Sequence, residues 1–139
     1  MNAGTRDGTI GDVIESVTTL DKEGELRTVP RAKLGFAYRT TKLPRDTVVV
    51  VARLVLKRAD PAAIRARMTQ FKECRRETQP LDLPSLGSVF RNPSKQFAGQ
   101  LVEELGLKGV RVGRARISPK HGNFIVNEGS TSVVKIILE

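Results

Sequence analysis

Hydrophobic positions in the first part of the chain recur in the rhythm of extended structure. Val13-Ile-Glu-Ser-Val-Thr-Thr-Leu20 is rich in β-branched residues, Asp21-Lys-Glu-Gly24 supplies turn chemistry, and Glu25 to Val29 follows. This pattern predicts a β-hairpin. Thr47 to Lys57 carries Val at four consecutive positions, a run continuous enough to predict a strand covered on both faces and central to a sheet. The period then changes. Asp60-Pro61 pairs a capping residue with proline at the first helical position, and Ile64, Met68 and Phe71 follow at i, i+4 and i+7. A helix over about 61–77 is predicted, with Cys74 beside Phe71 expected to face the core.

Gln79 to Pro93 holds three prolines and a glycine in fifteen residues, which is loop chemistry and predicts a domain boundary near 80. Phe97 to Leu105 is apolar at helical spacing and stops at Gly106, a C-terminal helix signal. Val110 to Ile117 and Asn123 to Asn127 read as short strands. Ser130-Thr-Ser resembles a helix N-cap, and Val133 with Ile137 and Val134 with Leu138 have i, i+4 spacing. A helix of about eight residues nucleates poorly alone, so its stripe is expected to belong to a longer element or to need tertiary support, and points to a fragment.

Composition bounds the function classes. At 139 residues, 39% hydrophobic and 28% charged, the chain is one domain's worth of globular polypeptide, which excludes a complete large multidomain enzyme. The longest apolar run is interrupted by Arg53 and is half the length of a bilayer-spanning helix. No signal-peptide pattern opens the chain and a single Cys cannot form an internal disulfide, so a cytoplasmic location is expected. The net charge of +9 is uneven: residues 1–26 carry −4, residues 27–76 carry +11 and residues 77–139 carry +2. The basic middle predicts an anionic partner or a solvated helix face. Aromatic content of 4% without Trp argues against a face that stacks single-stranded bases.

Standard phosphate cradles are missing, since neither a Walker loop nor a Gly-x-Gly-x-x-Gly fingerprint occurs. One His and one Cys cannot build a metal centre of three or four N or S ligands. His121 alone, without an evident partner, reads as a surface or supporting histidine rather than a catalyst. Two segments stand out. Gly35-Phe-Ala-Tyr-Arg-Thr40 places an aromatic hydroxyl beside a guanidinium, and Gly87-Ser-Val-Phe-Arg-Asn-Pro93 places a hydroxyl after a glycine in a constrained loop. Separately each reads as a strand-edge pair or an ordinary turn. Together they offer a cation for a developing oxyanion and a hydroxyl proton donor.

These segments also carry a family resemblance. Met1-Asn-Ala-Gly4, Gly35 to Thr40, Arg76-Glu-Thr-Gln-Pro80, Gly87 to Pro93, Phe97-Ala-Gly99, Gly106-Leu-Lys-Gly109 and Ser118-Pro-Lys-His-Gly-Asn-Phe-Ile-Val-Asn127 occur in that order. Seven motifs in register resemble the UDP-N-acetylmuramate dehydrogenases, also called UDP-N-acetylenolpyruvoylglucosamine reductases, over essentially the whole chain. The resemblance implies an α+β fold: a mixed or antiparallel sheet from a partial FAD-binding domain, residues 1–79, followed by a small α+β substrate-binding domain, residues 80–139, truncated at its C-terminus. It implies a flavoenzyme of peptidoglycan precursor synthesis that reduces an enolpyruvyl UDP-sugar with NADPH through FAD, with no membrane or nucleic-acid partner.

By the same resemblance Arg39 and Ser88 are catalytic, the first as the cation beside the developing enolate and the second as the proton donor. Tyr38, Arg91, Asn92 and Lys95 are implied in substrate binding, and Asn2, Gly4 and Thr5 in the loop that approaches the cofactor. No metal is implied. The family's earlier phosphate-holding segments and its tail glutamate have no counterpart, and Glu139 does not match the latter, so the isolated chain is expected to bind FAD weakly and turn over negligibly; a missing N-terminal FAD-binding segment is an expected partner. Thr5-Arg6, Leu86 and Arg114 depart from the family's usual residues. The alternative reading is a non-catalytic basic module for nucleotide or nucleic acid, using Arg65, Arg67, Lys72, Arg75 and Arg76.

Overall fold

The computed structural model describes residues 1–5 and 7–129, and the helix expected after Ser130 lies outside the described residues. The chain divides by internal contacts into two units, Met1–Arg58 and Ala59–Glu139. The first combines antiparallel sheet with 3-10 turns and the second antiparallel sheet with α-helices, the α+β class expected. Among the described residues no helix is long and apolar enough to cross a membrane.

In the first unit, β1 (Gly4–Thr5) pairs antiparallel with β2 (Gly8–Thr9), and a 3-10 turn follows at Ile10–Asp12. The expected hairpin is β3 (Ile14–Leu20) with β4 (Leu26–Pro30). Asp21 organises its turn: the carboxylate accepts from the Glu25 amide at 2.8 Å and pairs with Arg27 at 3.1 Å. β5 (Val48–Leu54) lies antiparallel along the other side of β3, so the order is β4-β3-β5. Register irregularities between Ile14 and Ser16 shift the alternation, as a bulge does. Ile14 and Val17, three apart, are therefore both buried. They form the core with the fully buried Leu34, and Ile10, Val29, Phe36 and Leu43 pack around it.

The four-valine strand departs from expectation. It is an edge of its sheet, not the centre, and all seven of its residues are exposed. Its composition is that of a doubly covered strand, but β3 is the one flanked on both sides.

In the second unit, α1 (Pro61–Thr78) starts where the sequence places it. The Asp60 carboxylate accepts from the Ala63 amide at 3.0 Å, and Pro61 takes a position that needs no donor. None of its residues is buried. Ile64, Met68 and Phe71 are 45%, 52% and 37% exposed, and Cys74 is exposed rather than core-facing. The apolar stripe exists, but among the described residues nothing buries it. Arg67 lies over the Phe71 ring at 5.5 Å, shielding part of that surface.

The segment read as loop contains β6 (Ser85–Ser88), a short edge strand between prolines. α2 (Ala98–Glu104) buries Ala98, Gly99 and Val102 and ends at Gly106, whose φ of +68° is the left-handed conformation that closes a helix. The stretch from Val110 to Ile117, expected as one strand, is instead the hairpin β7 (Arg111–Val112) and β8 (Ala115–Ile117), turned at Gly113. With β9 (Phe124–Asn127) these form a four-stranded antiparallel sheet in the order β6-β9-β8-β7. Glu128 ties its outer hairpin, pairing with Arg111 and with Arg116 at 2.6 Å.

Candidate functional site

Leu34 anchors the first of the two candidate segments. Its carbonyl accepts from the Thr41 hydroxyl at 2.6 Å and from the Lys42 amide at 2.8 Å, so the intervening residues leave the core as a loop pinned at both ends. At the loop's tip Ala37 and Thr40 exchange backbone hydrogen bonds at 3.2 and 3.3 Å. Tyr38 and Arg39 are thus the central pair of a tight turn. Arg39 has φ of +53°, a conformation that costs a non-glycine residue about 1–2 kcal/mol. Strain of this kind persists only where the surroundings over-determine it.

The surroundings here are the Asn2–Gly4 loop. Arg39 Nη2 donates to the Gly4 carbonyl at 3.0 Å. Asn2, 5% exposed, donates through Nδ2 to the Ala37 carbonyl at 3.3 Å and accepts at Oδ1 from the Gly11 amide at 3.0 Å. The guanidinium also stands over the Tyr38 ring at 5.1 Å. A Cβ on Gly4 would meet Thr9 at 3.0 Å and Arg39 Nη1 at 3.2 Å, so a side chain there would press on the guanidinium. Four of the candidate residues, Asn2, Gly4, Tyr38 and Arg39, are therefore one hydrogen-bonded and stacked unit. Thr5 belongs to the adjacent β1–β2 hairpin, where its hydroxyl accepts from the Asp7 amide at 3.3 Å. Behind the hairpin Asp12 accepts from the Thr9 amide at 2.6 Å and its hydroxyl at 2.9 Å. The amide bond, then the hydroxyl, with a smaller contribution from Arg31, holds its carboxyl below the usual range.

Ser88 lies in the second unit, at the exposed end of β6 opposite Phe124 on β9. The loop beyond it is held by Asn123, which sits inside one of the seven motifs but to which the sequence assigns no role. Its side chain, 4% exposed, accepts from the Phe90 amide and donates to the Phe90 carbonyl, both at 2.8 Å, and its own carbonyl accepts from the Val89 amide at 3.0 Å. A buried asparagine bonding both backbone groups of a residue 33 positions away is a long-range clamp. No periodicity could have announced it.

Asn92 Oδ1 accepts from the Ala98 amide at 3.0 Å, satisfying one of the orphan donors that open α2. That oxygen thus has a structural duty in addition to any contact with substrate. Arg91 and Lys95 are exposed on the same loop. The far side of α2 rests on residues 121–123, where a Cβ on Gly122 would meet the Gly99 carbonyl at 2.5 Å. His121 Nδ1 accepts from the Asn123 amide at 3.1 Å, and its ring lies edge-on to Phe124 with centroids 4.7 Å apart. Burial is the main cause that pushes the imidazole pKa below its usual value, and Lys108 adds to it. A neutral His121 with its proton on Nε2 fits this geometry.

A cavity of about 270 Å³ in the second unit is bordered by Arg76, Asp82, Arg116 and Lys120. None of the residues assigned to catalysis, substrate or cofactor lines it. Lys120 Nζ there donates to the Arg76 carbonyl at 2.6 Å, tying the end of α1 to the sheet.

Comparison with known proteins bears on both segments. A family model described as the C-terminal domain of UDP-N-acetylenolpyruvoylglucosamine reductase matches residues 79–138. The chain is 43% identical over 139 residues to UDP-N-acetylenolpyruvoylglucosamine reductase 2 of Symbiobacterium thermophilum, covering 99% of this chain and 45% of that one. It is 45% identical over 137 residues to the reductase of Anaeromyxobacter dehalogenans, covering 99% and 41%. The crystal structure of the Thermus caldophilus reductase superposes with a TM-score of 0.87 at 40% identity, over 99% of this chain and 51% of its own. The chain therefore spans about half the length of the relatives it matches.

Proposed function

Because the chain belongs to the UDP-N-acetylenolpyruvoylglucosamine reductase family and corresponds to its C-terminal portion, we propose that it serves the reduction of the enolpyruvyl ether of UDP-N-acetylglucosamine, with FAD as cofactor and NADPH as reductant, in the cytoplasmic synthesis of peptidoglycan precursors. The observation that carries this reading is the Arg39 turn, a strained cation bonded to the Asn2–Gly4 loop. A guanidinium fixed at a cofactor loop is what the reaction needs. Gly4, where a side chain would crowd that guanidinium, lets Arg39 pack against the loop, and Asn2, Gly4 and Thr5 are the residues that would hold the flavin. The cofactor, when bound, supplies the hydride that adds to the enol-ether double bond.

The remaining steps fall to this chain's own residues. Addition leaves negative charge conjugated with the substrate carboxylate, and Arg39 stabilises it by proximity and by charge-assisted hydrogen bonding. Ser88 donates the proton that completes the saturated lactyl ether, a task for a hydroxyl held at one place. Asn123 positions the loop that comes after Ser88. Tyr38, Arg91, Asn92 and Lys95 bind the sugar nucleotide, the two cations meeting its diphosphate. Residues 1–79 supply the cofactor-loop residues together with Tyr38 and Arg39, and residues 80–139 supply Ser88 and the remaining substrate contacts. No metal, membrane or nucleic acid takes part.

Calorimetric titration of the chain with the enolpyruvyl UDP-sugar tests the proposal. Saturable binding is expected, weakened about tenfold or more by Arg39→Ala, as loss of a charged hydrogen bond implies. Asn92→Asp keeps the oxygen that α2 uses but sets a carboxylate against the diphosphate, so it too should weaken binding without melting the helix. Absence of binding refutes the reading. Tight binding of DNA or RNA that falls steeply with salt would favour a basic module acting through Arg65, Arg67, Lys72, Arg75 and Arg76 instead.

A further inference from the structure

We propose that the cavity bordered by Arg76, Asp82, Arg116 and Lys120 is a binding site for a small phosphate monoester, separate from the residues assigned to sugar nucleotide and flavin. Its walls come from the end of α1, the segment just before β6, the strands β8 and β9 and the turn between them. All of these belong to the second unit. No residue assigned to catalysis, substrate or cofactor is among them.

Charge is the first argument. Three cations and one carboxylate border the cavity, and among the described residues neither Arg76 nor Asp82 forms an ion pair. Arg116 shares the Glu128 carboxylate with Arg111, so two guanidiniums divide one negative charge. Its Nε is buried with no hydrogen-bond partner among the described residues, a rare condition that calls for an acceptor. Lys120 Nζ spends one of its donors on the Arg76 carbonyl at 2.6 Å, which fixes the ammonium at this wall and leaves two donors to spare. The surplus of positive charge suits a phosphate monoester, which is close to a dianion at neutral pH, and the planar fork of arginine matches phosphate oxygens.

Size and lining make the second argument. A water molecule takes about 30 Å³ in the liquid, so a cavity of about 270 Å³ has room for roughly nine, more than inorganic phosphate fills. Part of the remaining wall is apolar: Leu83 and Val126 border it, the latter 1% exposed. Such walls suit the hydrocarbon or ring portion of a ligand whose polar end is fixed by a few charged groups. They also strengthen the field of the cations, because a cleft of one sign with low-dielectric sides focuses it. A row of solvated surface cations has no such walls.

Calorimetric titration of the full chain with phenyl phosphate, inorganic phosphate and benzoate tests the proposal. Saturable one-to-one binding of phenyl phosphate is expected, about tenfold tighter than that of either other probe, since inorganic phosphate lacks the apolar body and benzoate the second charge. Arg76→Gln and Lys120→Gln should each weaken it about tenfold, as loss of a charged hydrogen bond implies. Arg116→Gln should do the same. Arg111→Gln removes a Glu128 pair as well but lies outside the cavity, so its affinity should stay within about twofold of the parent. Circular dichroism melts establish that each variant is folded. The enolpyruvyl UDP-sugar should not displace phenyl phosphate. The proposal is overturned by absence of saturable binding, by equal affinity for inorganic phosphate or benzoate, by unchanged affinity in the folded cavity variants, or by displacement with the sugar nucleotide.

Discussion

Asn123 gives the sharpest energetic test, because one carboxamide holds the chain beyond Ser88. Its two side-chain bonds to Phe90 are both 2.8 Å long, and the side chain is almost wholly buried. Each such bond contributes about 1 kcal/mol net, so Asn123→Ala should lower unfolding stability by about 2 kcal/mol, a roughly 30-fold change in the folding equilibrium. Asn123→Asp separates the two bonds. Its carboxylate still accepts from the Phe90 amide, but an oxygen now opposes the Phe90 carbonyl where a donor stood. The alanine variant should therefore lose protection at the Phe90 amide, whereas the aspartate variant keeps that protection and is still destabilised. Urea melts followed by far-UV circular dichroism, with amide exchange at Val89 and Phe90, read both effects. An alanine variant within about 0.5 kcal/mol of the parent, a spread typical of inert surface changes, with Phe90 exchange unaltered, would refute the clamp.

Three further outcomes are expected from the geometry. Gly11→Ala should destabilise the first unit by about 1–3 kcal/mol, the range for overpacking, because the new Cβ would sit 2.7 Å from Phe36 and 3.1 Å from Asn2 Oδ1; thermal melting checks it. Arg39→Ala and Arg39→Gly both lose the bond to Gly4, but only glycine relieves the positive φ, so the glycine variant should be the more stable by about 1 kcal/mol, with sugar-nucleotide binding weakened in both. His121 has its pKa lowered in the folded state, so the unfolded chain takes up its proton first as pH falls. Its contribution is complete above about pH 6.5, the ordinary imidazole value, and is lost below it as pH falls toward the folded pKa. His121→Gln should flatten that part of the stability–pH curve measured by urea midpoints.

Local chemistry made much of this molecule readable in advance. The Asp60-Pro61 start of α1, the Asp21-to-Gly24 turn and the Gly106 stop of α2 depend on neighbours within four residues, and all three occur where the sequence puts them. The Tyr-Arg and Gly-Ser segments were likewise visible as chemistry. Their supports were not: Asn2 and Ala37 are 35 positions apart, and Asn123 and Phe90 are 33.

Two departures from expectation, the exposed β5 and the exposed stripe of α1, share one cause. Four consecutive valines and the stripe of Ile64, Met68 and Phe71 state how apolar a segment is, but not what lies against it. Hydrophobic burial is set by every neighbour in space, so the sequence could rank β5 and α1 as surfaces needing cover, and only the tertiary structure could leave them exposed. The same division holds at the candidate site. The sequence by itself determined which residues could carry charge and protons and where helices and turns begin and end. The fold decided that a buried Leu34, a doubly bonded Asn2 and a strained Arg39 form one assembly, because long-range hydrogen bonds and close backbone approaches exist only once distant segments are brought together.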